Sequence, residues 1–555
     1  MTNLDQYGAY ILHLRQLSRI DSSGMAPRRN QLCFLLGSGV SIGAGVPNWP
    51  KLVDAIASGV NQLGINGLPT ETLGSHAYFT QLLYEGFRSH HHTNGTEQID
   101  IDTKWKSLVR EKLYENILDG TSFEDGSERL RKSISNHPYI SNLAFLTRRA
   151  PITITYNFDS LLEEAIHLQL ENEDPGRSVR PDVIWSPKNQ LRGDDPIIYH
   201  VNGYLPFNIA EKWSQSLVLS EAAFADVLAQ LSTAQAGFVS NYLNRQTFLI
   251  LGTSLEDASL KNLLRMNAHT NPAHHHYYIH YMEDNDSLTN EAKEVIWRTN
   301  FDIYNLHTMF LCEAEIAELL DLLSKEDSTF DEWLTERNIM PTKRVYYIVG
   351  AVGSGKSTLV ENLRSYHTHE EWPERRNSLI YKNYDSLVDA ERADVDKWIL
   401  SNIKRKNDVL HNSGKGIHVM DRAPLDALSF TPGEDEDLET YKRNLQEKAA
   451  NIDKVVCEGG AIQLHDGTVI LLEASAETLA NRVRSRGKKD AGGEDYLKKQ
   501  QERLKRTYPN ALVVNNENGN MRDALKRIVE IISSPGHDQE NLSGRLVSFK
   551  EGEVI

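Results

Sequence analysis

Cysteine is scarce in this sequence. Its 555 residues include three cysteines, Cys33, Cys312 and Cys457, and no two of them form a Cys-x-x-Cys pair. Thiolates therefore cannot build a zinc ribbon, and so sparse and odd a count argues against a secreted scaffold held by disulfides. We expect no zinc in this protein.

Long apolar runs are also missing. No stretch of 18 or more apolar residues occurs, so the sequence predicts no transmembrane helix and no membrane partner. The first residues, MTNLDQYGAYILHLRQ, lack the basic and apolar pattern of a signal peptide. We therefore expect a cytoplasmic protein.

Positive charge is in deficit. The chain has 60 Lys and Arg against 77 Asp and Glu, which gives a formal net charge of −17. Such a surface would repel a phosphate backbone, so nucleic acid is an unexpected partner. A local basic pocket for a small nucleotide is compatible with this charge, and we expect small-molecule nucleotides as ligands.

What the sequence does contain is a repeated alternation of short apolar runs with helical patterns. This alternation predicts an α/β fold with largely parallel sheets. The strands predicted in the first half are Gln31–Gly37, Ile152–Tyr156, Ile197–Val201, Thr247–Gly252 and His276–Tyr281. Ligands of open parallel sheets bind at the carboxyl ends of their strands, where several of these runs meet glycine or polar residues.

The pattern divides into two α/β domains, each with a parallel sheet. Residues 1–337 form the predicted first domain, which is Rossmann-like with a helical insertion at Leu68–Ala150 and two closing helices, Glu313–Ser324 and Asp331–Arg337. The predicted remainder is a linker at Asn338–Lys343, a second domain at 344–534 that starts with strand Arg344–Val349, and a flexible tail at 535–555.

Three consecutive histidines, His274–His276, are conspicuous. They are compatible with a metal site or with a surface cluster at a strand edge. Because no cysteines or suitably spaced carboxylates lie nearby, the surface cluster is the favoured interpretation.

A glycine-rich loop follows the first predicted strand, in FLLGSGVSIGAGVPNWPKL (Phe34–Leu52). Its glycines, at positions 37, 39, 43 and 45, allow positive φ angles and a close approach of the backbone to a phosphate. The spacing is not Gly-x-Gly-x-x-Gly, since Ile42 occupies the place of the third glycine. Taken alone, the loop is equally compatible with a structural turn.

Three further strand ends carry polar residues. The segment ITITYNFDSLLEEAI places Thr155, Asn157 and Asp159 before a helix, and alternation along an extended segment puts their side chains on one face. The other two strand ends carry these groups of residues: His200 and Asn202 before Gly203, and Gly252, Thr253, Ser254 and Asp257.

In this order the four segments resemble the sirtuin family, specifically its bacterial NADase branch found in anti-phage defence proteins. The resemblance covers about residues 30–300. It rests on the family patterns Gly-x-Gly-x-Ser with Gly-x-Pro, Thr-x-Asn-x-Asp, and Gly-x-Ser-Leu. These patterns match Gly37, Gly39, Ser41, Gly45 and Pro47; Thr155, Asn157 and Asp159; and Gly252, Ser254 and Leu255.

The resemblance implies a sirtuin-type sheet that binds NAD, and a homo-oligomer. It implies that Asn157 positions a water or the ribose hydroxyls, supported by Asp159, while a neutral His200 acts as a base toward a ribose hydroxyl. Asp159 can also cap the following helix, Ser160–His167. The implied cofactor contacts are Gly37, Gly39, Ser41, Pro47, Asn202, Gly252 and Ser254.

Two departures from the family pattern matter. Sirtuin deacetylases carry four zinc-binding cysteines that this chain cannot supply, which favours hydrolysis of NAD over deacylation. The family's catalytic histidine directly precedes the glycine, but that position is Asn202 here, and the histidine lies two residues earlier, at His200. Alternation keeps His200 on the same side; the alternative is a packed core histidine bonded to backbone.

A second motif lies in RVYYIVGAVGSGKSTLVENL. It contains Gly350-x-x-x-x-Gly355-Lys356-Ser357 between an apolar strand and an amphipathic helix, the context of a phosphate-binding P-loop. Backbone amides would cradle the phosphates of ATP, Lys356 would reach the β- and γ-phosphates, and Ser357 would bind Mg²⁺. The predicted nucleotide contacts are Gly350, Gly353, Gly355, Lys356, Ser357 and Thr358.

The rest of this half resembles nucleoside and nucleoside-monophosphate kinases, over about residues 344–532. A predicted strand, Gly416–Met420, ends in Asp421 and Arg422, which resemble the acceptor-side pair of these kinases, with Asp421 in a catalytic role. Another strand, Thr468–Glu473, precedes a basic run that resembles their mobile lid or is a solvated helix face. The run contains Arg482, Arg484, Arg486, Lys488 and Lys489, and Asp385 is a further acceptor-side candidate after strand Leu379–Tyr384.

Together the two halves suggest a bacterial defence effector. Its first domain would hydrolyse NAD, and its kinase-like domain would sense or phosphorylate a nucleotide, because an unregulated NADase would kill its host. The alternative is a metabolic nucleoside or nucleotide kinase whose sirtuin-like domain senses NAD or ADP-ribose. A third possibility, a deacylase with an ATPase partner domain, is weakened by the missing zinc cysteines.

Overall fold

A computed structural model describes most of the chain. The described residues are 3–18, 31–65, 72–173, 181–186, 196–229, 234–283, 286, 288–337, 343–370, 379, 387–431, 437–486, 493–517, 521–534 and 536–553. They fall into two compact units, and each unit contains one parallel sheet flanked by helices. The α/β class with two parallel sheets is therefore confirmed.

The first unit is built on a seven-stranded sheet whose paired neighbours all run parallel. The strands are β1 (Leu32–Leu36), β2 (Thr153–Thr155), β3 (Asp182–Ile184), β4 (Ile197–His200), β5 (Thr247–Leu251), β6 (His276–Tyr281) and β7 (Leu306–Leu311). Their order across the sheet is β3-β4-β2-β1-β5-β6-β7. The chain leaves β1 toward β2 on one side and later returns to β5 on the other, and ligands of open parallel sheets bind at the carboxyl end of the strand where this change of side occurs.

All five strands predicted for this half are present, and two more were not predicted. β3 has the sequence DVI, and its two apolar residues are too few for a visible pattern. β7, with the sequence LHTMFL, is buried along its whole length, but its polar His307 and Thr308 interrupt the apolar run.

Helices lie between and after these strands in the chain, and the first helix, which precedes them, groups with the second unit. Their bounds are α1 (Gly8–Ser18), α2 (Gly39–Ile42), α3 (Trp49–Gln62), α4 (His76–Thr93), α5 (Gln98–Leu118), α6 (Ser127–Asn136), α7 (Ile140–Thr147), α8 (Leu161–Glu173), α9 (Glu221–Ala229), α10 (Ala234–Leu243), α11 (Ala258–Thr270), α12 (Asn290–Tyr304), α13 (Glu313–Ser324) and α14 (Asp327–Glu336), preceded by a 3-10 helix at Asn3–Tyr7. Side-chain caps start several of them: Asn48, Ser75 and Thr289 each accept a hydrogen bond from the backbone of the first turn. Helices α4 to α7 form the predicted insertion, and residues 72–150 include no strand.

The second unit is built on a five-stranded parallel sheet in the order β12-β11-β8-β10-β9. Its strands are β8 (Lys343–Gly350), β9 (His367–His369), β10 (Gly416–Asp421), β11 (Thr468–Glu473) and β12 (Leu512–Asn515). Its helices are α15 (Lys356–Asn362), α16 (Asp389–Asn412), α17 (Leu438–Val455), α18 (Ala476–Ser485), α19 (Glu494–Thr507), α20 (Met521–Ser533) and α21 (Leu542–Glu551), with a 3-10 helix at Pro424–Phe430. β9 and β12 were not predicted, and the predicted strand Leu379–Tyr384 lies almost entirely outside the described residues.

The amino-terminal helix groups with the second unit, which contains Gly8–Gln16, Asn271–His274 and Leu334–Ile555. The Gln16 side chain donates to the carbonyl of Ile417 and accepts from its amide, at 3.1 and 2.8 Å, so it pairs with β10 as a neighbouring strand would. The predicted first domain, 1–337, missed this because no local pattern reports such a long-range pairing. The predicted linker, apart from Lys343, lies outside the described residues.

The prediction of a flexible tail at 535–555 was wrong for most of that segment. Helix α21 lies there, and its Leu542, Leu546 and Phe549 are buried in one apolar cluster with Leu445 and Ala449 of α17. These three residues follow the i, i+4, i+7 spacing of one helix face, which the polar surroundings concealed.

Among the described residues, every helix is too short or too polar to cross a membrane.

We expect Leu546→Ala to lower the free energy of unfolding of the second unit by about 2–4 kcal/mol, because it leaves a cavity in a packed cluster. The neighbouring Val547, whose side chain is 47% exposed, supplies the control Val547→Ala, which should change stability by less than about 0.5 kcal/mol. Denaturant unfolding of both variants tests this. Equal effects of the two substitutions would show that α21 does not pack as described.

Candidate functional site

The loop after β1 lies against the loop after β5. The amide of Gly37 donates to the Leu251 carbonyl at 3.0 Å, and that of Gly39 donates to the Gly252 carbonyl at 2.9 Å. A Cβ atom added to Gly37 would lie 2.4 Å from the Gly252 oxygen, and one added to Gly39 would lie 2.9 Å from the Gly252 Cα atom. The two glycines are therefore required by backbone packing, quite apart from any approach to a phosphate.

Ser41 connects this loop to the end of β2. Its hydroxyl donates to Asp159 Oδ1 and accepts a hydrogen bond from Asn157 Nδ2, both at 3.1 Å. Because the hydroxyl proton goes to the carboxylate, the Asn157 amide must present its NH₂ group to Ser41 and point Oδ1 away. Among the described residues nothing donates to Asn157 Oδ1, although this atom is buried.

Asp159 has two functions in this arrangement. Its Oδ1 also accepts the amide of Leu161 at 3.1 Å, at the start of α8, so it caps that helix as predicted. The pKa of Asp159 is raised to about 6, mainly by burial; the nearby Glu163 also raises the pKa, whereas the hydrogen bonds from Leu161 and Ser41 and the proximity of His200 lower it.

His200 lies at the end of β4 and is 1% exposed. Its Nδ1 is 2.8 Å from the backbone oxygen of Asn157, and its Nε2 is 2.6 Å from Glu163 Oε1. Both ring nitrogens thus face protein acceptors. The sequence reasoning did not select Glu163, although its place four residues after Asp159, on the same helix face, was a usable signal.

The remaining predicted residues of the first unit lie at the same sheet edge. Asn202 is 8% exposed and donates its side-chain amide to the Tyr156 carbonyl at 3.2 Å. Pro47 is half-buried before α3, whereas Ser254 is exposed after β5. Asp257 accepts from the Leu260 amide at 2.8 Å and so caps α11.

An aromatic cluster, which the sequence reasoning missed, adjoins Asn157. The ring of Trp49 lies 6.3 Å from that of Phe158 and 5.6 Å from that of Phe224, measured between centroids. Because Phe158 directly follows Asn157 in the chain, this cluster provides an apolar surface beside a polar network.

In the second unit, the P-loop runs from β8 into α15 as predicted. Gly350, Gly353 and Gly355 all have positive φ angles, of 156°, 86° and 95°. Lys356 is 5% exposed, and its ammonium group donates to the carbonyls of Gly350 and Ala351 at 2.7 and 3.0 Å.

The half-buried side chains of Ser357 and Thr358 follow Lys356 in the first turn of α15. An ammonium group held by loop carbonyls, with a hydroxyl beside it, suits a nucleotide triphosphate with Mg²⁺.

Asp421 and Arg422 follow β10, which is next to β8 in the sheet. Arg422 has a φ of +72°, and its guanidinium lies 3.6 Å from the carboxylate of Asp426, which the sequence reasoning did not select. Tyr508 donates to Asp426 at 2.8 Å. Burial raises the pKa of Asp426, while Arg422, Tyr508 and Lys356 oppose that rise. The Asp426 carboxylate therefore interacts electrostatically with both Arg422 and the P-loop lysine, Lys356.

The predicted lid arginines have different surroundings. Arg482 donates to the backbone oxygens of Asn516 and Glu517, at 2.7 and 3.1 Å, and so binds the segment after β12. Arg484 lies 3.7 Å from Glu494, and Arg486 ends α18 as an exposed residue. Lys488, Lys489 and Asp385 lie outside the described residues.

The prediction of a surface cluster at His274–His276 was wrong, since all three histidines are buried. His276 is bonded to the Phe248 amide and to Asn267, at 3.2 and 2.7 Å. Among the described residues, no group of three or more His, Cys, Asp or Glu side chains could hold a metal ion.

Residues 151–304 match the family model of the SIR2-like domain. The match begins just before β2 and ends in α12, so it contains Asn157, Asp159, Glu163, His200 and Asn202 and supports the sirtuin-like interpretation of this half. None of the curated proteins compared with this sequence matches it.

Among solved structures, the chain is similar to a deoxyadenosine kinase from M. mycoides with bound dATP, at 19% identity and a TM-score of 0.27. That similarity covers 34% of this chain and 100% of the kinase. This TM-score is too low to establish a shared fold.

The buried carboxyl of Asp159 gives the SIR2-like segment a pH dependence of stability. Its folded pKa of about 6 exceeds the ordinary value, so the folded protein binds more protons than the unfolded chain between about pH 4 and 6. The free energy of unfolding should therefore fall as the pH rises through this window, by about 2–3 kcal/mol, and stay level above it.

Asp159→Asn keeps the acceptor oxygen for Ser41 and Leu161, so it should remove this slope without loosening α8. Asp54→Asn, on the exposed face of α3, is the control and should retain the slope. Denaturant unfolding between pH 4 and 7 measures the effect, and an unchanged slope in Asp159→Asn would contradict the assignment.

Proposed function

We propose that the first unit hydrolyses NAD to nicotinamide and ADP-ribose, and that the second unit binds a nucleotide that regulates this reaction. The observation that carries the first part is the buried, unsatisfied Oδ1 of Asn157 at the carboxyl edge of the sheet. A buried acceptor without a partner is costly, and a ribose hydroxyl or a water molecule would satisfy it.

The chemistry that this site must support is cleavage of the bond between the nicotinamide nitrogen and the ribose carbon. That carbon becomes cationic as nicotinamide leaves, so an oriented amide oxygen nearby is favourable. Ser41 and Asp159 hold the Asn157 amide in one orientation before substrate arrives, and such preorganisation lowers the cost of reaching the transition state. The apolar surface of Trp49, Phe158 and Phe224 suits a planar aromatic ring.

For the second unit, the P-loop supplies the binding site. Lys356 would exchange its carbonyl partners for the β- and γ-phosphates of ATP, and Ser357 would hold Mg²⁺. Arg422, held beside Asp426, would face the acceptor side with Asp421, while Arg482 and Arg486 would belong to the lid. Whether this unit transfers a phosphate or acts only as a sensor, it provides the regulator that an NADase requires inside a living cell.

This pairing fits a bacterial anti-phage defence effector that acts as a homo-oligomer and consumes NAD after a nucleotide signal. A second candidate is a metabolic nucleotide kinase whose first unit only senses NAD or ADP-ribose. The occupied ring nitrogens of His200 favour this candidate if cleavage of NAD requires a general base, because they leave none in the site. Release of nicotinamide by the purified protein separates the two.

Asn157→Ala should lower the turnover of NAD at least about 100-fold, because it removes the oriented amide oxygen from the reacting centre. Asn61→Ala, on the exposed side of α3, is the matched control and should turn over NAD at the wild-type rate. Nicotinamide release and thermal unfolding of both variants provide the measurement. A folded Asn157→Ala protein with near wild-type turnover would refute the assignment.

Lys356→Ala should weaken ATP binding at least about tenfold, since it removes the cation that faces the phosphates. It should also abolish any change that a nucleotide causes in the rate of NAD hydrolysis. Coupling between two sites typically amounts to about 1–3 kcal/mol and is reciprocal, so NAD should tighten the binding of an activating nucleotide.

Calorimetry, together with NADase assays across ATP and the deoxynucleoside mono- and triphosphates, tests both effects. Lys442→Ala, in α17, is the control. A rate of NAD hydrolysis that ignores every nucleotide in both proteins would remove regulation from the proposal.

A further inference from the structure

Both ring nitrogens of His200, the atoms that could transfer a proton, contact other protein groups. It is 1% exposed, and its ring lies between the backbone oxygen of Asn157 and the carboxylate of Glu163, which is 4% exposed. The Tyr204 ring lies against it with centroids 4.6 Å apart. A substrate hydroxyl could reach a ring nitrogen only by displacing one of these partners.

The hydrogen bonds also decide where protons reside. A carbonyl oxygen can only accept, so Nδ1 must carry a hydrogen and donate it to Asn157. Nε2 then either donates to the Glu163 carboxylate or accepts from its protonated form. In both cases Nε2 is hydrogen-bonded to Glu163, so neither ring nitrogen of His200 is left to take a proton from a ribose hydroxyl.

We propose that His200 is a positioning residue, held by Glu163, that fixes the backbone of Asn157, and that Asn202 is the residue that contacts the substrate where a catalytic histidine would stand. The proposal rests on the NAD hydrolysis proposed above. It replaces the role of base that the sequence analysis gave to His200.

The location of Asn202 supports its part in this proposal. The side-chain amide of Asn202 donates to the carbonyl of Tyr156, the residue before Asn157. The side chains of Asn157 and Asn202 therefore lie at the same edge of the sheet. Within the described part of the chain, the Asn202 side chain forms its hydrogen bond through Nδ2, which leaves Oδ1 as an acceptor for a ribose hydroxyl.

Hydrolysis does not need a strong base in this arrangement. The bond between the ribose carbon and nicotinamide breaks, and its electron pair leaves with the neutral nicotinamide. The oxygen of a water molecule then bonds to the cationic carbon and releases a proton to solvent. Oriented amides at 157 and 202 suffice to hold the ribose and the water during these steps.

The decisive variants are Glu163→Gln and Glu163→Ala. A glutamine at 163 can donate to Nε2 of a neutral His200 whose Nδ1 still donates to Asn157, so this variant should keep kcat within about threefold of wild type. Glu163→Ala leaves a buried nitrogen without a partner and should lower kcat at least about tenfold, with a smaller change in KM. Glu164→Gln, the same charge change one residue further along α8, is the control.

His200→Ala should lower kcat about as much as Glu163→Ala, and the double variant should be no worse than either, because both residues act through Asn157. Asn202→Ala should raise KM and lower kcat independently of the pair. If His200 is the base instead, Glu163→Gln will be as damaging as His200→Ala, and Asn202→Ala will have wild-type kinetics. Either result would overturn the proposal.

A second readout does not depend on turnover. In wild type and in Glu163→Gln, ¹⁵N NMR of His200 should show a hydrogen on Nδ1 that is protected from exchange with solvent, and binding of NAD, measured by calorimetry, should leave it unchanged. Loss of this hydrogen on NAD binding would overturn the positioning role. A wild-type protein that releases no nicotinamide but shows the protected hydrogen would refute the proposed hydrolysis. It would still support the role of His200 in positioning Asn157.

Discussion

The hydroxyl of Ser41 is the contact on which the first site depends. It accepts from Asn157 and donates to Asp159, so one oxygen ties the loop after β1 to the turn after β2. This hydroxyl can reach its partners only because the loop is seated by Gly37 and Gly39 against Gly252, where any side chain would collide with backbone. Backbone packing thus sets the loop, and the loop sets the orientation of the Asn157 amide.

The second unit uses charge in a comparable way. Lys356 is buried but satisfied by the carbonyls of its own loop, and Arg422 is placed by a left-handed backbone and by the carboxylate of Asp426. Both cations are therefore ordered without the proposed nucleotide. Ordered charges lose less entropy on binding than mobile ones, which is a common requirement of sites that handle phosphates.

Much of the architecture followed from local patterns. Strands β1 and β5 of the first sheet are almost wholly apolar, and β2, β4 and β6 are rich in β-branched and aromatic residues, so all five are visible without any knowledge of their neighbours. The sequence did not predict β3 and β9 because DVI and HTH contain few apolar residues, β12 because its apolar run is short, and β7 because polar residues interrupt its apolar run. Helix α21 was not predicted because its few apolar residues form a recognisable buried face only when they pack against α17.

The candidate sites show the same division. The sequence by itself selected Ser41, Asn157, Asp159, His200 and the P-loop as candidates, through strand-end motifs and their resemblance to known families, and the structure links Ser41, Asn157 and Asp159 by hydrogen bonds. Only the tertiary structure decided that Glu163 binds His200, that Asp426 lies beside Arg422, that Arg482 binds the segment after β12, and that Gln16 pairs with β10. Such contacts depend on which way a side chain points and on what folds against it. Periodicity in the chain specifies a face, whereas a partner is specified only once distant segments have packed.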